Sequence, residues 1–443
     1  MKHCPLLIPA LLLALCCGAQ TFDGTDLAGI ESIVRDVESS SERWRQEAEE
    51  RIREHRMADL NLTVLQGGEP VSNAVVRVKL LRHAFRFGGI VNPKVMVNGL
   101  GALSGKEYRE LFLNFGFNTT GFNNGLKYKL RRSYEALIPE QLEWFADHQI
   151  PVRGHCLIWP GRDHMDKEMF QLVALCKKSP SSRNKEKLQR MCEEQIKLWA
   201  PKWNVFEWDV INETRGNHDV ADLIGEEVYA EWFKLARKYS VDPAAGLYLN
   251  ENRVVSDPEP GVRTAKMTLY IDTVEKLLNR GAPVTGLGLQ SRFHSMIPAE
   301  TIYERLCLLG KLNLPIAATE FEIGKTVEGE LNKAIMTERV MTIYFSYPLA
   351  NGIYAWTLLP SGSEGETGRN ILEGNGHPNL RGKVWLYLMK NRWMTDEKLA
   401  ADENGNVSVR GFLGDYEITV EHNGRTQTVP LTLDKALRQT IRL

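Results

Sequence analysis

Between about residue 84 and residue 395 the chain repeats one local pattern, a short apolar, β-branched run followed by an amphipathic helical stretch. Alternation of this kind is the mark of parallel βαβ units, because parallel strands need a crossover long enough to hold a helix. Eight strand candidates lie near Phe87 to Val91, Phe117 to Asn123, Val152 to Trp159, Val205 to Asn212, Gly246 to Asn250, Val284 to Gln290, Ile316 to Glu320 and Ile353 to Thr357. Helix-like segments such as Pro139 to His148, Glu226 to Tyr239, Arg263 to Arg280 and Ala299 to Leu309 separate them. The pattern predicts a closed (β/α)8 TIM barrel, a fold that carries its chemistry at the C-terminal ends of the strands.

The flanks follow different periods. Residues 27–58 form a charged helical stretch with Leu27, Ile30, Ile33 and Val34 at helical spacing, expected to pack outside the main core. Residues 59–83 alternate apolar and polar (Leu62, Val64; Val76, Val78, Leu80) around Gly67-Gly68-Glu69-Pro70 and read as a β-hairpin. From residue 404 the β character returns, with Val407, Val409, Tyr416 to Val420 and Thr426 to Leu433 around Asn423-Gly424. A tail of that length cannot bury a core alone and needs the barrel or the N-terminal hairpin beside it. The expected organisation is a leader over 1–19, a helix and hairpin over 20–83, the barrel over 84–395 and a small C-terminal β segment over 396–443.

The leader reading rests on Lys2, the apolar run Leu6 to Leu15 and the small-residue site Cys17-Gly18-Ala19. It predicts a secreted or periplasmic protein beginning near Gln20, or one lipid-anchored outside the cytoplasm if Cys16 or Cys17 is modified. No later run approaches the length of a membrane span. Four cysteines remain, Cys156, Cys176, Cys192 and Cys307. Cys176 and Cys192 flank a polar insertion and are candidates for a bridge, Cys156 reads as a buried thiol in a strand, and none has metal-ligand spacing. A net charge of −1, with no Lys/Arg block, argues against a nucleic-acid partner. A monomer without cofactor or metal is expected.

The predicted strand tips gather an unusual set of polar groups. Strand 2 ends in Asn123 and Asn124 with Lys127 just beyond; strand 3 carries His155 and Trp159; strand 4 ends in Asn212 and Glu213; strand 5 carries Tyr248 and Asn250. Strands 6, 7 and 8 end in Gln290, Glu320 and Trp356. A sugar requires fixed donors and acceptors for its hydroxyls and aromatic faces for its C–H surfaces, and two carboxylates suffice to cleave a glycosidic bond. Taken singly, each residue has an ordinary alternative: a solvated loop glutamate, a core tryptophan, an exposed lysine. Their convergence on one rim points to a saccharide site.

The segments Val-Arg-Gly-His-Cys-Leu-Ile-Trp, Trp-Asp-Val-Ile-Asn-Glu, Gly-Leu-Gly-Leu-Gln-Ser, Thr-Glu-Phe-Glu-Ile and Ile-Tyr-Ala-Trp, in this order, resemble glycoside hydrolase family 10, the xylanase-type barrel. The β-rich flanks resemble those of its plant-like branch. The resemblance implies an endo-acting, retaining β-1,4-glycanase with xylan as the leading substrate. Glu320 would be the nucleophile and Glu213 the acid/base, roughly 5 to 5.5 Å apart. It further implies that Asn212 binds the 2-hydroxyl of the cleaved sugar and that Gln290 orients the nucleophile. His155, Lys127 and Asn124 would hold hydroxyls on the non-reducing side, Trp159 and Trp356 would wall the cleaved sugar, and Tyr248 would join the binding set.

Departures from the family pattern bear on specificity. Asn123 stands where a glutamate is usual, Pro160 replaces a histidine after Trp159, and a long insertion follows over roughly 161–195. Strand 5 has Asn252 in place of an aromatic residue, and the run after Trp356 lacks a second tryptophan. Arg292 and Glu322 replace a histidine and an aspartate that support the nucleophile, which suggests an ion pair beside Glu320, with His294 as the rival support. Action on another β-glycan or a substituted oligosaccharide, or sugar binding without turnover, are the alternatives to a xylanase.

Overall fold

The computed structural model describes residues 29, 30, 42–359 and 369–443. The proposed leader, and Leu27, Ile33 and Val34 of the N-terminal stretch, lie outside the described residues.

Eight parallel strands close into the expected barrel: β4 (Arg86–Val91), β5 (Thr119–Phe122), β6 (Val152–Ile158), β7 (Glu207–Asn212), β8 (Gly246–Glu251), β9 (Gly286–Leu289), β11 (Ile316–Ile323) and β12 (Ala350–Ala355). Pairing of β9 with β11 completes the ring, and the two-residue β10 (Arg292–Phe293) is a side branch on β11. Helices outside the ring cover the strand faces, so residues such as Leu157, Trp208, Leu247 and Ile353 are wholly buried.

The flanking segments combine rather than standing apart. β1 (Met57–Gln66) makes a tight hairpin only with the two-residue β2 (Glu69–Pro70). Its main partners are β14 (Asn406–Phe412), antiparallel, and β17 (Leu437–Arg442), parallel. β3 (Val75–His83) belongs to a second sheet with β13 (Asp396–Ala400), β15 (Gly414–His422) and β16 (Arg425–Leu433). The hairpin expected over 59–83 is therefore corrected: β1 and β3 do not pair with each other. Alternation gave each strand a buried face, Leu60, Leu62 and Val64 on one and Val76, Val78 and Leu80 on the other, but it carries no information about which distant strand completes the ladder.

The N-terminal helix also departs from expectation. It runs Glu42–His55, here α1, and ends before β1 begins at Met57. Trp44, Ala48 and Ile52, spaced four apart, are buried, and Arg45 pairs with buried Glu338 at 3.1 Å. That contact docks α1 on the barrel helix Glu330–Ser346, so the helix is part of the core rather than outside it.

The insertion after β6 folds as two helices, α2 (Lys167–Lys178) and α3 (Ser182–Trp199), each N-capped by a side chain, Asp166 and Ser181. Cys176 and Cys192 lie buried on these helices as free thiols, not bridged. Among the described residues no helix is long and apolar enough to cross a membrane.

Candidate active site

Strand periodicity alone would not bring the two acids into one cavity. In a regular strand, alternate side chains share a face, so Ala317 and Thr319 of β11 would point inward and Glu320 outward. The ladder between β11 and β12 slips between Ala318 and Phe321, and this irregularity turns Glu320 inward with Thr319. A second slip, between Asp209 and Ile211 in β7 against β8, places Val210 and Ile211 in the outer core and returns Asn212 to the inner face with Asp209. Glu213 then follows with a left-handed backbone, φ 58°, anchored by its N–H to the Asn250 carbonyl at 2.8 Å. A non-glycine residue in that region costs about 1 kcal/mol or more, which the surrounding bonds offset.

Glu213 is half-buried and held by two neutral amides. Gln290 Nε2 donates to its Oε1 at 2.6 Å and Asn217 Nδ2 to its Oε2 at 3.0 Å. Gln290 was expected to orient Glu320; its side chain instead bonds Glu213, because the left-handed turn carries Glu213 across to the end of β9. Glu251, below this pair, accepts N–H bonds from Arg215 and Asn252, and burial pushes its carboxyl up to about 7.

Glu320 is held differently. Arg292 donates through Nη2 at 2.5 Å and Nε at 3.2 Å to Oε2, Asn250 Nδ2 donates to Oε1 at 3.0 Å, and His155 Nε2 lies 3.9 Å away. Burial pushes this carboxyl upward, but the Arg292 charge, with His155 and Lys127 behind it, outweighs burial and holds it below the usual carboxylate range. Arg292 reaches Glu320 because β10 is in register with β11, which sets Arg292 opposite Glu322. Its Nη1 lies 3.4 Å from Glu322 Oε2 and its guanidinium 4.9 Å from the centre of the Trp356 ring. Burial raises the Glu322 carboxyl despite Arg292 and Arg369 nearby. His294 makes no bond to Glu320; its ring lies against Gly324.

Beneath the acids runs a buried column. Arg153 donates to Glu207 at 2.9 Å and to both oxygens of Asp209 at 2.7 and 2.9 Å, and Asp209 accepts from His155 Nδ1 at 2.7 Å. Burial favours the neutral acid at Asp209, but Arg153 and His155 overcome it and keep the group ionised. An ionised carboxylate only accepts, so the proton on His155 Nδ1 is fixed and Nε2 faces Glu320.

The remaining residues line the rim. Asn212 accepts from Asn250 Nδ2 at 2.8 Å, while its own amide nitrogen is buried without a protein partner, a donor left for a hydroxyl. Lys127 Nζ donates to Asn124 at 3.1 Å and stands 5.1 Å from the Trp159 ring centre and 5.8 Å from that of Trp356. Burial lowers the Lys127 pKa against the pull of Glu320. Tyr248 is not on the rim. It lies one layer down inside the barrel, its hydroxyl 2.8 Å from the Asn351 amide at the opposite end, and a Cβ at Gly286 would collide with its ring. Asn250, two residues on and on the same face, occupies the place that the binding set assigned to Tyr248, and joins Asn212, Thr319 and Glu320 in one network. Asn250 was named at the strand tip without a role, and Asn217, Asp209 and Arg153 were not singled out. An acid inside an apolar strand was the available signal for Asp209; nothing local marked Asn217.

Among the described residues no cluster of His, Cys, Asp and Glu is fit to hold a metal. The arrangement presents two carboxylates in unlike environments, one against a cation and one against neutral amides, with hydrogen-bonding and aromatic groups around both.

The family model described as glycosyl hydrolase family 10 matches residues 102–363. The chain is 26% identical over 396 residues to anti-sigma-I factor RsgI6 of Acetivibrio thermocellus, covering 88% of this chain and 48% of that protein. It is 25% identical over 356 residues to endo-1,4-beta-xylanase 1 of Arabidopsis thaliana, covering 79% and 35%. The chain thus spans about half or less of the length of these curated relatives. Native xylanase 10B from Thermotoga maritima shares the fold, with a TM-score of 0.57 at 19% identity over 70% of this chain and 97% of that one.

Proposed function

The chain belongs to glycosyl hydrolase family 10, and from that premise we propose that it is a retaining hydrolase of β-1,4-linked glycan, of the endo-1,4-β-xylanase type. The observation that carries the reading is the asymmetry of the acids. Glu320, kept ionised beside Arg292, is suited to attack the anomeric carbon, forming a glycosyl ester as the C–O bond to the leaving sugar breaks. Glu213 supplies the proton to that leaving oxygen, then takes one from the water that opens the ester. Asn250 and Arg292 fix the nucleophile on both oxygens, and Gln290 and Asn217 fix the acid/base. The free amide of Asn212 is placed to bind the 2-hydroxyl, where a bond that strengthens as oxocarbenium character grows lowers the barrier. His155, Lys127, Trp159 and Trp356 hold the sugar, and no step in this scheme calls on a cofactor.

The test is release of new reducing ends from soluble xylan, with Glu320→Gln in parallel. Release by the native protein with loss of about 10⁴-fold or more in the variant supports the assignment. Proton NMR of the first product distinguishes the mechanism: the retained β-anomer is expected, and an initial α-anomer would exclude double displacement. Binding of xylan without release by either protein would make the barrel a saccharide-binding module.

A further inference from the structure

The chain from Glu213 to Asn217 is a closed turn. Asn217 N–H donates to the Glu213 carbonyl at 3.0 Å, and the Asn217 side chain returns to the Glu213 carboxylate. Glu213 opens the turn in the left-handed region, where a residue other than glycine stays only if its surroundings fix it. The fixing comes from the end of β8. Glu213 N–H is bonded to the Asn250 carbonyl, and the next residue of that strand, Glu251, holds the middle of the turn. Its Oε2 accepts from Arg215 N–H at 3.0 Å and from the Thr214 hydroxyl at 3.3 Å, while its Oε1 accepts from Asn252 N–H at 3.0 Å.

Arg215 is gripped a second time. Its Nη2 donates to Asn252 Oδ1 at 2.5 Å and to the Asn252 carbonyl at 3.3 Å, so the main chain and the side chain of one turn residue are both held by the end of β8. Asn252 stands where the family pattern has an aromatic residue, and a ring would have no amide oxygen for this bond. The Glu251 main chain serves the acid as well. Its carbonyl accepts from Gln290 N–H at 3.0 Å, and Gln290 Nε2 is the other amide on Glu213. Both amides that hold Glu213 are thus tied to Glu251, Asn217 through the turn and Gln290 through the main chain. Glu251 is only 1% exposed. Burial of a carboxyl is costly unless it is hydrogen-bonded, and a carboxylate accepts all these bonds without bringing a donor of its own.

We infer that Glu251, with Asn252 beside it, is a positioning residue for proton transfer: it fixes the turn that aims the Glu213 carboxyl at the leaving oxygen. This rests on the hydrolase reading above. Glu320 is held by Arg292 and Asn250, outside the turn, so loosening the turn impairs protonation of the leaving group and spares attack on the anomeric carbon.

Two substrates separate these steps when kcat/KM is compared. The leaving sugar of xylopentaose must be protonated, whereas 2,4-dinitrophenyl β-xylobioside releases a phenolate that needs no proton. The native protein is expected to cleave both. Glu251→Gln, close in size but setting an NH2 group against one of the donors, is expected to lose about 10²-fold on xylopentaose and less than about threefold on the aryl glycoside. Glu213→Ala marks the limit of the same preference. Should Glu251→Gln fail to fold, as judged by circular dichroism, Asn252→Ala carries the test: it frees the Arg215 guanidinium without opening the core, and about a tenfold loss confined to xylopentaose is expected. A folded variant that loses both substrates equally would overturn the inference, since a general disturbance of the site would account for it. Full activity on xylopentaose would overturn it too, and in both cases the hydrolase reading stands. A native protein that cleaves neither substrate would remove that reading and the positioning role with it.

Discussion

Arg292 concentrates most of the electrostatic argument in one side chain. Its fork holds Glu320 and Glu322 together, and its charge is the largest influence keeping Glu320 ionised against burial. The sign follows directly. A nucleophile with a lowered pKa stays active to a pH below the ordinary glutamate range, so the acid limb of kcat/KM lies low. Removing the cation in Arg292→Ala leaves burial unopposed and moves that limb to higher pH, with kcat/KM at neutral pH falling about 10²-fold or more. A pH–rate profile of the variant checks this, and an unmoved limb would show that His155 and Lys127 suffice. Arg292→Lys restores charge without the fork, and a limb returned toward its native place would identify charge rather than geometry as the cause. In the sequence the Arg292 and Glu322 replacements were visible as a pair. The roles of Gln290 and Tyr248 were implied by the family resemblance, but Gln290 bonds Glu213 rather than Glu320 and Tyr248 lies a layer below the rim.

At the scale of elements, the site depends on irregularities in regular strands. The slips in β7 and β11 decide that Asn212 and Glu320 face the cavity, and the left-handed turn at Glu213 decides which partner it meets. Apolar runs located both strands within two or three residues, but a slip has no compositional mark when each neighbouring residue is compatible with either face. The helix α1 teaches the same lesson from outside. Its many charges pointed to solvent, yet the stripe Trp44, Ala48, Ile52 is buried on the barrel. Trp44→Ala is expected to cost about 3–5 kcal/mol, measured as a lowered midpoint in denaturant with unchanged slope. A shift within about 0.5 kcal/mol would mean that α1 is a surface appendage after all.

For the whole molecule, the two outer sheets join the chain's beginning to its end. β1 lies between β14 and β17, and β3 between β13 and β15, so strands over 300 residues apart share ladders. Phe412 of β14 also meets Phe345 of the barrel, ring centres 6.0 Å apart. Truncation after residue 395 would strip β1 and β3 of their partners and expose two hydrophobic edges. The truncated chain is expected to aggregate on expression, whereas the full chain unfolds in one cooperative transition; a soluble, active truncation would show that the barrel is independent of its flanks. By itself the sequence determined the barrel and the order of its strands and marked Glu213 and Glu320 as candidate acids, because these follow from periodicities of two and 3.6 residues and from polar groups at the ends of apolar runs. Only the tertiary structure decided which distant strands pair, which amide holds which carboxylate, and that the end of β8 grips the turn after Glu213. Those outcomes depend on contacts between residues far apart in the chain, and local patterning does not encode which of many compatible surfaces will meet.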